Sequence, residues 1–142
     1  MTVKQILDQK GRNVITVSPS MGTLEAVKFL SDNKIGAVIV TGSGGKVAGI
    51  LSERDIVRAV ATKGADSLNS PISQIMTSKV TTCGESHSIN QVMELMTNGR
   101  FRHLPVEEDG KLVGIISIGD VVRRRIEDVE REAEEIKAYI AG

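Results

Sequence analysis

The strongest constraint on this chain is that it states one pattern twice. The segment VITVSP…IGAVIVT…GGKVAGILSERDIVRAV, Val14 to Val60, returns as VTTCGE…FRHLPVE…DGKLVGIISIGDVVRRR, Val80 to Arg125. Val14, Ile35 and Val40 match Val80, Phe101 and Val106, each 66 positions later. After a glycine-rich turn the offset falls to 65, so Gly49, Ser52 and Asp55 match Gly114, Ser117 and Asp120. The lost residue lies in the turn, where a deletion disturbs little. Two copies of so small a unit imply a duplicated fold whose apolar faces cover one another. A site is then expected first at the interface between the copies.

The 142 residues, 40% of them hydrophobic, suffice for one body built from two half-size units. Phe29, Phe101 and Tyr139 are the whole aromatic set, so the core must be Val, Ile, Leu, Met and Ala. Eighteen basic residues balance 18 acidic ones, which gives no global field for nucleic acid. Cys83 is alone, which excludes an internal disulfide and fits a reducing compartment. The N-terminal MTVKQILDQKG lacks a signal-peptide core, and no apolar run approaches the roughly 20 residues that span a bilayer. These features predict a soluble cytoplasmic protein without a membrane partner.

The spacing predicts a short leading helix at Val3–Leu7, then a strand at Val14–Val17 stopped by Pro19. A helix is expected at Leu24–Asn33, a continuously apolar strand at Ala37–Val40, a turn at Gly42–Gly45 and a strand at Val47–Leu51. Ser52 opens a helix running to about Thr62. The unit is β-α-β-β-α, and the second copy repeats it with Val80–Cys83, Ile89–Thr97, His103–Val106, Leu112–Ile116 and a helix from Ser117. KQIL at Lys4–Leu7 resembles SQIM at Ser73–Met76, so the leading helix is duplicated as well. The fold expected is α/β (α+β), two such units packed with pseudo-twofold symmetry plus a C-terminal helix. The divisions are residues 3–62, a linker at 63–71, the second repeat at 72–126 and a helical extension at 127–142.

In the tail, Val122, Ile126, Val129, Ala133, Ile136 and Ile140 recur at heptad spacing. Such a stripe packs either on its own domain or against the same helix of a second chain. Two small repeats with an uncovered helical face also favour a homodimer.

The repeated G-h-h-S-x-x-D is the sharpest local signal: Gly49 to Asp55 and Gly114 to Asp120, each where an apolar strand turns into a helix. Ser52 and Ser117 can cap the helices, with Asp55 and Asp120 reaching back as a shortened capping box. The same groups can bind a ligand, since a carboxylate there accepts hydrogen bonds from both hydroxyls of a ribose. Free helix N–H groups would favour an anion. Cations available for a phosphate are Arg54, Arg102, His103 and Arg123 to Arg125, although His103 also suits a neutral structural role in its strand. GSGGK at Gly42–Lys46 lacks Walker spacing, His87 and His103 form no metal cluster, and Cys83 has no base partner and is expected to be buried and neutral.

The two G-h-h-S-x-x-D segments, with FRHLPV at Phe101–Val106 and TVSP at Thr16–Pro19, resemble a tandem pair of CBS domains, a Bateman module. The resemblance covers Val3 to about Ile126. It implies a regulatory sensor that is not an enzyme and that binds adenine nucleotides in clefts between the repeats. AMP is the first expectation, with ATP or NAD(H) as alternatives. Carried over by position, Asp55 and Asp120 would hold ribose diols beside Ser52 and Ser117, with Thr16 and Thr82 touching base or ribose. Ala37 and Val38 would wall one cleft and His103 and Leu104 the other. That leaves the first cleft without the Arg102–His103 pair and with Arg54 as its cation. The partners expected are an adenine nucleotide, a second copy of the chain and an unidentified regulated protein. The alternative is a ligand-independent interaction scaffold in which the Ser–Asp pairs are only caps.

Overall fold

The computed structural model describes residues 1–141. It contains two β-α-β-β-α repeats and a long C-terminal helix. The first repeat holds β1 (Thr16–Val17), α2 (Thr23–Asn33), β2 (Ala37–Thr41), β3 (Val47–Ser52) and α3 (Glu53–Lys63), preceded by α1 (Val3–Lys10). The second holds α4 (Ile89–Gly99), β4 (His103–Glu108), β5 (Lys111–Ser117) and α5 (Ile118–Ala141). β1 runs parallel to β2 and β2 antiparallel to β3, with Ala37 opposite Ser52. β4 and β5 repeat that antiparallel register, with His103 opposite Ser117.

The strand expected at Val80–Cys83 shrinks to a single parallel bridge, Cys83 beside Val106. Cys83 donates to the Pro105 carbonyl at 3.0 Å and accepts from the Glu107 N–H at 2.8 Å. Pro105 stands where the first repeat has Ile39 and carries no N–H, so the ladder cannot extend back toward Thr82.

Although α1 precedes the first repeat in sequence, it packs into the second. Val3, Ile6 and Leu7, at helical spacing, join Cys83, Ile89, Val92, Leu104 and Ile116 in one core cluster. The Val3 N–H donates to the His87 carbonyl at 2.9 Å and the Lys4 N–H to the Glu85 carbonyl at 3.0 Å. The exchange is reciprocal. Ile72, Ile75 and Met76, ahead of the second repeat, pack with Val17, Leu30, Val38 and Leu51 of the first. Each repeat's core is thus completed by the other repeat's leading segment.

This crossing explains the glycine of the repeated motif. A Cβ on Gly49 would lie 2.7 Å from the Thr77 carbonyl oxygen and 2.8 Å from the Met76 sulfur. A Cβ on Gly114 would lie 2.8 Å from a methyl of Leu7. Only a residue without a side chain lets the crossing segment lie on the strand.

α5 is one unbroken helix of 24 residues, so residue 126 falls inside it. Its buried residues are Val121 and Asp128. Val122, Ile126, Val129, Ile136 and Ile140 are 46 to 78% exposed, so the stripe does not pack on its own domain. The body behind it is already closed by the crossing of α1, which leaves that face outward.

Candidate functional site

Both motifs form caps. The Asp55 N–H donates to Ser52 Oγ at 3.3 Å and the Ser52 N–H donates to Asp55 Oδ2 at 2.9 Å. Ser117 and Asp120 repeat this at 3.2 and 2.9 Å. Each helix therefore starts with the N–H groups of its Ser and Asp satisfied and a carboxylate fixed in its opening turn. The carboxylates then diverge. Asp55 is 5% exposed and also accepts from Ser52 Oγ at 3.1 Å and Thr77 Oγ1 at 3.0 Å. Asp120 accepts from Lys10 Nζ at 2.7 Å. Burial pushes the Asp120 carboxyl up, but the bonds from Lys10 and Ser117 outweigh it and hold it below the ordinary carboxylate range.

A cleft of about 550 Å³ lies between the repeats. Ser52, Glu53, Arg54, Asp55 and Arg58 line it from α3 and its cap, with Gly36 and Ile50 behind them. Thr77, Lys79 and Thr81 come from the segment between the repeats, and Gly99 to His103 from the second repeat. Five cations, Arg54, Arg58, Lys79, Arg100 and Arg102, face two carboxylates, Glu53 and Asp55. The cleft therefore carries a local positive excess although the whole chain is neutral. A ligand with hydroxyls for Asp55 and an anionic end for the arginines fits that polarity.

The expected grouping of residues needs correction. Arg102 and His103 belong to the Asp55 cleft, so that cleft does not lack the pair. Val38 and Leu104 lie inside the two core clusters and form no wall. Ala37 is buried beside Ser52, with only its neighbour Gly36 on the cleft. Thr16 is exposed on β1, and Thr82 is half-buried on irregular chain; Thr77 and Thr81 line the cleft instead. Burial lowers the pKa of His103, with Lys10 and Arg102 adding to it and Asp120 and Glu53 opposing it. Arg123 Nη1 is 3.8 Å from Asp120, whereas Arg124 turns inward, its Nε 3.4 Å from Asp128. Thr77, Lys79, Arg58 and Arg100 were not marked by the sequence reading. Arg58 has a signal nonetheless, since Arg123 stands at the matching position after Asp120.

A shallower depression of about 230 Å³ lies between α1 and α5, lined by Lys10, Asp120, Arg123 and Arg124 among others. Among the described residues no cluster of His, Cys, Asp or Glu could hold a metal ion, and no helix is long and apolar enough to cross a membrane.

The CBS domain family matches residues 3–62 and 72–127. The chain belongs to the CBS domain family. It is a tandem CBS pair, a Bateman module, and the family is a regulatory rather than catalytic one. A mitochondrial CBS domain-containing protein of Arabidopsis thaliana is 32% identical over 149 aligned residues, covering 99% of this chain and 72% of the relative. The crystal structure of a CBS-domain containing protein from Agrobacterium tumefaciens is 54% identical, with a TM-score of 0.85 over 88% of this chain and 99% of the other. A CBS domain protein from Pyrobaculum aerophilum, complexed with AMP, is 27% identical with a TM-score of 0.74, covering 84% and 89%.

Proposed function

We propose that this CBS pair is a sensor of adenine nucleotides, with AMP as the first ligand and ATP or NAD(H) as competitors for the same cleft. The observation that carries the reading is the gathering of Ser52 and Asp55 from one repeat with Arg100, Arg102 and His103 from the other around a single opening. Asp55 accepts the ribose hydroxyls, replacing the bonds it takes from Ser52 and Thr77. The arginines and Lys79 hold the phosphate. The AMP held by the Pyrobaculum relative supports this class of ligand. A nucleotide touching both repeats favours one relative orientation and so alters the surface offered to a regulated protein, as yet unidentified. The exposed α5 stripe pairs with that of a second copy to give a homodimer. The lone buried Cys83 fits a cytoplasmic, reducing setting.

The test is calorimetric titration of stripped protein with AMP, ATP, NAD and NADH, in the wild type and in Asp55→Ala. Saturable binding that the substitution abolishes is expected. A folded wild type that binds none of the four sinks the reading and leaves the ligand-independent scaffold.

A further inference from the structure

We propose that the two ribose carboxylates are unequal, and that Lys10 is a built-in competitor at the second. The proposal rests on the nucleotide reading above. Asp55 and Asp120 match in sequence, take the cap N–H at the same 2.9 Å and face an arginine three residues on, at 3.7 and 3.8 Å. They part in their remaining donors. At Asp55 these are two neutral hydroxyls, Ser52 and Thr77. The Thr77 N–H meanwhile donates to the Ile50 carbonyl at 2.9 Å. Across the repeat, the Lys10 ammonium does both jobs alone: it donates to Asp120 Oδ2 at 2.7 Å and to the carbonyl of Ile115, the match of Ile50, at 2.9 Å. A cation at Asp120 thus stands where Asp55 has a hydroxyl.

The exchange energies differ accordingly. A ribose hydroxyl arriving at Asp55 replaces one neutral donor by another, a nearly balanced trade. At Asp120 it must displace or share a charge-assisted bond of roughly twice the strength. The competitor cannot diffuse away, because Leu7, three residues back on α1, is fully buried in the core of the second repeat. The Asp55 cleft therefore fills first. Filling at Asp120 comes at higher nucleotide concentration and loosens the C-terminal end of α1.

Titration of the full chain with AMP tests this. The wild type should show two steps, of which Asp55→Ala removes the tighter. Lys10→Met, which keeps an unbranched side chain but removes the ammonium, should tighten the weaker step roughly tenfold, the worth of one charge-assisted hydrogen bond. Lys10→Arg should leave it weak, and thermal melts check that each variant is folded. Two equal steps in the wild type, or a Lys10→Met variant with an unchanged or weaker second step, overturn the proposal while the nucleotide reading stands. No AMP, ATP or NAD(H) binding by wild type overturns both.

Discussion

Truncating Leu7 to alanine tests whether α1 is an integral part of the second repeat. Leu7 is fully buried, against the strand that carries Gly114 and inside the cluster of Leu104, Ile116 and Val121. The change removes three carbons from that core, worth about 2.4 kcal/mol at about 0.8 kcal/mol per buried carbon. The cavity left behind raises the loss to about 3–4 kcal/mol. An unfolding entropy of about 2.1 cal/mol/K per residue gives about 0.3 kcal/mol/K for 142 residues, hence a drop of about 10 °C in Tm. Thermal unfolding of ligand-free protein followed by circular dichroism would read it as one shifted transition. Leu24→Ala, on the half-exposed side of α2, is the control and should cost less than about 1 kcal/mol. If Leu7→Ala moves Tm no more than the control does, the argument is refuted. It is also refuted if a small early loss of helix precedes an unmoved main transition.

Light scattering should give the mass of two chains for wild type and of one for Val129→Lys combined with Ile136→Lys, with little change in melting; a dimeric variant would remove the stripe from the interface. Burial, aided by the charge of Glu108, pushes the Cys83 thiol up to about 12. A disulfide reagent at pH 8 should therefore modify native protein far more slowly than urea-unfolded protein, and similar rates would show an open site. His103, with its pKa lowered by burial, binds its proton less readily folded than unfolded. Stability should then fall as pH drops from about 6.5 toward the folded value, and His103→Gln should flatten that fall in urea midpoints. An unflattened profile places the titration elsewhere.

The repeat unit was legible because each element carries its own period: the continuous run at Ala37–Val40, the capped start at Ser52, the glycine turn. The matching offsets also identified Asp55 and Asp120. They say which residues correspond, however, not whose core each fills. A chain in which KQIL packs on the first repeat and one in which it crosses to the second have the same hydrophobic pattern. The same ambiguity hid that Arg102 and His103 line the Asp55 cleft, while His103 also stands opposite Ser117 and feels the charge of Asp120. Val38 and Leu104 were misplaced because an all-apolar strand has no alternation to mark its faces. The missing strand at Val80–Thr82 had its signal in Pro105, which cannot donate to a ladder. Stripe exposure on α5 is a property of what surrounds the helix, and periodicity alone does not report it.

The placement of Asp120 gives α5 a mechanical meaning. The carboxylate sits in the first turn of the helix, and every described residue from Val129 to Ala141 is exposed. The helix is thus held through about its first three turns, as far as the buried Asp128, and stands free beyond them. At about 1.5 Å per residue the free stretch from Val129 to Ala141 reaches about 20 Å, so a tilt of about 10° where it leaves the body carries the tip through about 3 Å. That is about two residues of helical rise, enough to disturb the fit of an apolar stripe against whatever it grips. A small shift of the anchored turns would be read at the far end as a gain or loss of grip.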